Sequence, residues 1–245
     1  MWQAYMVGAL EAASLFACFV ILHTSTDVLY ATAKYAPTTV AKGWFHFVCL
    51  VSSVGILFYT VISSEGAACL FYTSWNYILQ VIYWGWVYFA PSVNYQARFV
   101  LFDTIFPASV AVAAVVWLML FPYYWAGYTG EQGEALINAI SFMQHGVNVA
   151  FLIVEYVWDT PRLVEWRTVA FVGLLPTTYS LFAIFVHDLE SGEWWPLPFL
   201  QITQGTSPLW YLALLVIHIV PFFILRWISA WRVGRRATEE TTPLV

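Results

Sequence analysis

Seven stretches of this chain, each 18 to 25 residues long, are apolar almost throughout: Met6 to Thr24, Trp44 to Ile62, Ala67 to Pro91, Phe99 to Pro122, Ala135 to Val157, Thr168 to His187 and Pro208 to Leu225. A helix needs about 20 such residues to cross the hydrocarbon of a bilayer. Each run therefore has the length of one crossing. Apolar residues make up 61% of the sequence and charged residues 9%, against roughly 45–50% and 25% in a soluble domain. Water cannot be the main solvent of such a chain. Fourteen Trp and 15 Tyr fit the same conclusion, because amphipathic rings favour the boundary between hydrocarbon and water.

The distribution of positive charge tests the count of spans. Cytoplasmic loops retain Lys and Arg, so in a true bundle these residues fall in alternate connections. Lys34 and Lys42 follow the first run, Arg98 ends the third connection, Arg162 and Arg167 lie in the fifth, and Arg226, Arg232, Arg235 and Arg236 follow or end the last, which accounts for all nine. The other connections carry Glu65, Glu131, Glu134, Asp188, Glu190 and Glu193 instead. Removing or adding one span breaks this alternation. The expected architecture is all-α, a polytopic transmembrane helix bundle of seven spans with its N-terminus outside and its C-terminus inside. Residues 1–228 form one domain, and 229–245 a cytoplasmic tail. The first run is retained as a span and not read as a cleaved leader, since Met1 to Tyr5 has no positive charge and Glu11 interrupts the apolar stretch.

Several functions are excluded or disfavoured by composition. Three cysteines, Cys18, Cys49 and Cys69, show no metal-type spacing, and no metal or other cofactor is expected. The net charge of −5 leaves no basic face for nucleic acid. A retinal protein needs a Lys for its Schiff base, and no run contains one. A transporter of the usual kind shows charged relays or paired repeats, whereas the formal charges within the runs before Arg226 are Glu11, Asp103 and Glu155.

Polar side chains in hydrocarbon are costly, so those facing inward are where a functional reading starts. In the third run Thr73, Asn76 and Gln80 are spaced three and four residues apart, on one helical face. In the fifth, His145 and Asn148 lie one turn apart and Glu155 seven residues beyond Asn148, with Gly146 leaving room beside the histidine. Taken singly, each has an ordinary structural role. A membrane Thr usually bonds its own upstream carbonyl, and Asn, Gln and His more often join helices than perform chemistry. Asp103, Glu155, His23 and His46 fall near cytoplasmic ends, where water is expected to reach them. His218 lies deep in the last span, either in a core network or simply packed.

Beyond these two stripes, the pattern resembles the androgen-induced membrane proteins and their relatives, the rolling-stone proteins and similar plant membrane proteins. The resemblance covers roughly residues 44–228. It rests on Phe71-Tyr72-Thr73-Ser74-Trp75, on His145-Gly146-Val147-Asn148 followed by Glu155, and on Trp194-Trp195-Pro196-Leu197-Pro198-Phe199-Leu200 ahead of Pro208-Leu209-Trp210-Tyr211. The last block looks closest to the rolling-stone and plant branch. In the androgen-induced branch the resemblance implies an intramembrane hydrolase of fatty acid esters of hydroxy fatty acids, with a Thr nucleophile and a His that fall on Thr73 and His145. Asn76, Gln80 and Asn148 are then candidates to line the site or hold the oxyanion. The expected partners are membrane lipid and a fatty-acyl ester, in the endoplasmic reticulum or the plasma membrane. The first run is additional to the family's usual six. The rolling-stone branch implies the alternative, a non-catalytic membrane scaffold or cell-fusion factor whose polar stripes are helix glue. A seven-span receptor ranks below both, since topology alone is a weak warrant. An enzyme should show an acyl-sized lateral cavity converging on Thr73 and His145, and a scaffold the same side chains packed and mutually satisfied. Trp194 to Leu200 should form an outer capping or re-entrant segment, because its prolines preclude a regular helix.

Overall fold

The computed structural model describes residues 2–24, 29–30, 33, 35–122, 137–189 and 195–241. Among these the chain is all helical. The long helices are α1 (Trp2–His23), α2 (Val40–Ser63), α3 (Tyr72–Phe89), α4 (Tyr95–Leu120), α5 (Ala139–Trp158), α6 (Trp166–Leu189) and α7 (Ser207–Thr241). Glu131 and Glu134 of the fourth connection, Glu190 and Glu193 of the sixth, and Trp194 fall outside the described residues. The helix of α7 continues without a break through most of the segment read as a tail.

Six of these helices are long and apolar enough to cross a membrane; α3 is not among them. The run expected over Ala67 to Pro91 divides into a short 3₁₀ helix, Ala67–Leu70, and the 18-residue α3. Polar residues explain the lower apolarity of α3, and they are turned inward: Ser74, Asn76 and Gln80 are all buried. The helix ends at Ala90, whose backbone (φ −141°, ψ 53°) has left the α region, a region disfavoured for the residue before a proline. Elsewhere prolines are accommodated. Pro107, Pro176 and Pro221 sit within α4, α6 and α7.

The bundle is organised around α4, which packs against α3, α5, α6 and α7. Of its apolar window 61% is buried in the protein, against 17% for α1 and for α2. Those two are peripheral, with α1 against α6 and α7 and α2 against α3. Their outer faces carry exposed Phe16, Phe19, Val48, Val51 and Phe58, an arrangement stable only in an apolar solvent.

The cationic connections gather at one end of the bundle. Lys42 meets Glu155 and Asp159, Arg162 meets Asp103, Arg167 donates to the Leu22 carbonyl, and Arg232 donates to the carbonyls of Val157 and Asp159. The C-terminal half of α3 points to this end, since Tyr83 donates to Glu155. Thus α3 runs antiparallel to both α2 and α4. At the opposite end, Phe199 and Leu200 are buried among Val7, Tyr179 and Tyr211. The Tyr211 hydroxyl donates to the Leu200 carbonyl at 2.9 Å, and Pro198–Leu200 makes a single 3₁₀ turn. Residues 195–200 cap that end of the bundle, in line with the expectation for this proline-rich block.

Candidate functional site

Three consecutive residues at the start of α3, Phe71, Tyr72 and Thr73, form part of the wall of a partly open, largely apolar cavity of about 60 Å³. Val112, Val115 and Val116 of α4, Pro176, Tyr179 and Ser180 of α6, and Leu214 and His218 of α7 also line it. The volume suits a few waters or the head of a ligand and is well below the roughly 300 Å³ at which small-molecule sites begin. Its location follows from the local fold. The 3₁₀ turn ends at Leu70, Phe71 is extended, and no side chain caps the new helix. The N–H groups of a first helical turn have no partner within the helix, so the positive end of α3 faces the cavity.

Thr73 is thereby relieved of the usual role of a membrane threonine. Thr60 and Thr104 each donate to a carbonyl four residues upstream, at 2.8 and 2.7 Å. Thr73 is the second residue of its helix and has no α-helical turn behind it. The described residues give it no such bond.

The remaining predicted site residues lie elsewhere. The lining, as the described residues give it, holds Thr73 but not His145, Asn76, Gln80 or Asn148. Both Asn76 Nδ2 and Gln80 Nε2 donate to Ser109 Oγ of α4 at 3.0 Å, and Ser109 in turn donates to the Ile105 carbonyl at 2.7 Å. These amides are joined to α4. The spacing of the stripe identified their common face, but not Ser109, since a serine in an apolar run carries no distinguishing signal.

His145 lies in a π-helical stretch of α5, Met143–Val147, with Nδ1 3.2 Å from the Ser141 carbonyl. A second π-helical stretch, Val115–Leu120 of α4, lies beside it. The two are joined by a hydrogen bond from Trp117 Nε1 to the His145 carbonyl at 2.9 Å and by stacking of Trp117 on Phe142. Asn148 Oδ1 accepts from the Val149 backbone, while its Nδ2 is buried without a partner among the described residues.

Contrary to the expectation from their positions near helix ends, Glu155, Asp103 and His46 are buried away from water. Glu155 is 3% exposed and Asp103 0%. Glu155 accepts from Tyr83 and meets His46 at 2.9 Å and Lys42 at 3.4 Å. Asp103 accepts from Arg162 at 2.7 Å and from Tyr30. Packing of the connection 29–30 and of residues 160–165 over the bundle end excludes solvent from them. Burial, and after it the Asp103 carboxylate, pushes the Tyr30 hydroxyl pKa above its ordinary value. For Arg162 burial acts downward, but Asp103 together with Tyr30, Asp159 and Tyr83 outweighs it and the pKa is raised. The guanidinium stays charged. Glu11 of α1 is also buried, on the helix that packs against α6, and its Oε2 has no hydrogen-bond partner among the described residues.

A second hollow of about 360 Å³ opens on the outer surface between α3, α4 and α6. Its walls are mostly apolar, among them Trp75, Leu79, Leu101, Phe171 and Leu175. Trp75 of this groove packs edge-on against Tyr179 of the cavity wall, with ring centroids 5.5 Å apart. Two aromatic rings thus stand between an acyl-sized lateral groove and the hollow at Thr73.

No protein-family model, curated protein or solved structure matches this chain. The fold itself defines the class: an integral, multi-pass membrane protein built entirely of helices among its described residues.

Proposed function

We propose that the chain is a seven-span membrane protein, N-terminus outside, that hydrolyses fatty-acyl esters with Thr73 as nucleophile. The observation that carries this reading is the setting of Thr73, whose hydroxyl is free of the usual back-bond and lines a cavity at the uncapped start of a helix. A hydroxyl becomes nucleophilic when a neighbouring base takes its proton. The resemblance to the androgen-induced membrane proteins implies fatty acid esters of hydroxy fatty acids as substrates and a His in that role. The sequence pattern puts that His at His145, a residue the lining of the Thr73 cavity does not include. The groove beside Trp75 supports the same class of substrate, since its volume and apolar wall suit an acyl chain arriving from the lipid. For the topology, the antiparallel course of α3 supports its counting as a span although it is the least apolar helix, with the polar atoms of Asn76 and Gln80 turned onto α4.

The test is hydrolysis of a palmitoyl ester of hydroxystearic acid by purified protein in lipid nanodiscs. Thr73→Ala should lower the rate by several orders of magnitude, as loss of a nucleophile does, while Thr73→Ser keeps a measurable part of it. An active wild type whose rate survives Thr73→Ala would refute the assignment.

A specific observation favours the other reading, a scaffold of rolling-stone type. Asn76 and Gln80 both donate to Ser109 of the neighbouring helix, Gln144 donates to Thr60 at 2.9 Å, and Glu155 is held by three side chains. Such groups join helices. A wild type inert towards the ester would leave this the better account.

A further inference from the structure

His218 of α7 is the histidine on the wall of the Thr73 cavity. It is 2% exposed. Its Nδ1 lies 2.6 Å from the Leu214 carbonyl, an acceptor only, so the proton of the neutral ring must sit on Nδ1. Nε2 is left as a bare lone pair at the far tip of the ring, buried and with no partner among the described residues. Burying an acceptor without a donor is costly. Beside it, the Tyr72 ring meets the imidazole edge-on at 5.2 Å, and the Tyr72 hydroxyl is likewise buried without a partner. The wall of one small hollow at the start of α3 thus carries an unpartnered acceptor, an unpartnered donor and Thr73.

We infer that His218, and not His145, is the base that activates Thr73. This rests on the hydrolase reading. Nε2 takes the Thr73 proton, directly or through one water, as Oγ1 forms a bond to the ester carbonyl carbon. The electron pair of the carbonyl moves onto its oxygen, where the Tyr72 hydroxyl and the first N–H groups of α3 meet the developing charge. The carbonyl re-forms as the ester C–O bond breaks, and the leaving alkoxide takes the proton from His218 to become the free hydroxyl of the hydroxy fatty acid. Water then attacks the acyl-threonine. Nε2 accepts a proton from that water and returns it to Oγ1, releasing the fatty acid. The sequence consumes one ester and one water and yields one alcohol and one acid, with Thr73 and His218 restored.

The experiment measures both ester turnover and covalent labelling of Thr73 by an alkyl fluorophosphonate, in wild type, Thr73→Ala, His145→Ala, His218→Gln and His218→Asn. Labelling forms the Oγ1–P bond, expels fluoride and needs the same base, so it reports activation without knowledge of the natural substrate. Asn retains a donor for the Leu214 carbonyl while removing Nε2, and variants are compared at equal elution volume and helicity. The expected result is a loss of at least about 100-fold in labelling and turnover for both His218 variants, with His145→Ala within a few-fold of wild type. Wild-type labelling at Thr73 that persists in folded His218→Asn, or that His145→Ala alone abolishes, overturns the inference and leaves the hydrolase reading standing. A wild type neither labelled at Thr73 nor active on the ester overturns both.

Discussion

Removing one member of the Asp103–Arg162 pair should be among the most damaging single changes outside the cavity. The two side chains are 0% and 7% exposed and 2.7 Å apart. Loss of the carboxylate strands a largely buried guanidinium, and breaking a buried pair in this way costs about 3–5 kcal/mol. The faces of Phe99, Tyr30 and Phe102, 4.3 to 5.6 Å from the guanidinium carbon, return part of the lost solvation, on the order of 1 kcal/mol. The Tyr30 hydroxyl loses its acceptor at the same time, a penalty of about 1–3 kcal/mol. The net of the two corrections is about 0–2 kcal/mol of further loss, so the expected cost of Asp103→Leu is about 3–7 kcal/mol. Arg162→Met, which strands the carboxylate instead, should cost about 3–5 kcal/mol. The double variant removes both charges and should be less destabilised than either single one, because an apolar pair of similar volume replaces a buried ion pair at little net cost. The assay is a double-mutant cycle of unfolding by sodium dodecyl sulfate in mild detergent, followed by circular dichroism. Single variants within about 1 kcal/mol of wild type, or a double variant at least as destabilised as the sum of both, would refute the reasoning.

Other outcomes follow from the same geometry. Ser109→Ala removes the acceptor shared by Asn76 and Gln80 and should lower stability by about 1–3 kcal/mol, read in the same titration, with ester turnover changed less than fivefold. Trp75→Ala removes one of the two rings between the 360 Å³ groove and the 60 Å³ cavity. It should cost about 3–5 kcal/mol and yet tighten binding of a fluorescent long-chain fatty acid, measured by titration in nanodiscs. For topology, single cysteines at Glu65 and at Val93, which flank α3, should react with an impermeant maleimide from opposite sides of oriented vesicles. Reaction from the same side would show that α3 does not cross.

What the sequence made legible was whatever depends on period and charge. The lengths of the apolar runs, the alternation of Lys and Arg, and the common face of Asn76 and Gln80 each follow from local spacing. Six of the seven runs appear as helices long and apolar enough to cross a membrane, and Asn76 and Gln80 meet the same serine. Less was legible where backbone geometry leaves the α-helix. The start of α3 at Tyr72 and not Ala67 depends on a 3₁₀ turn, which moves Thr73 from within a helix to its exposed first turn. The stripe of His145 with Asn148 and Glu155 assumes a period of 3.6, and the π-helical stretch at Met143–Val147 breaks that period for His145 while leaving Asn148 and Glu155 seven residues apart on regular α-helix. Partners were the least legible. Nothing in the sequence pairs Asp103 with Arg162 and Tyr30, and the depth of His218 was apparent without any sign that α7 would bring it to the cavity of Thr73.

The two π-helical stretches constrain what substitutions the chain can accept in length as well as in kind. A helix turns about 100° per residue. A wide turn absorbs one extra residue, so loss of one residue within Val115–Leu120 would restore an ordinary α-helix there and leave the helix beyond it facing as before. A residue lost from α4 ahead of the wide turn would instead rotate everything beyond it by that angle. Val116 and Leu120, on the cavity wall, would then exchange places with residues now facing lipid, and Trp117 would turn away from the His145 carbonyl. Because Trp117 ties the two wide turns to each other, a deletion in one helix is not corrected by side-chain adjustment in its neighbour. This part of the bundle therefore tolerates changes of residue far better than changes of number.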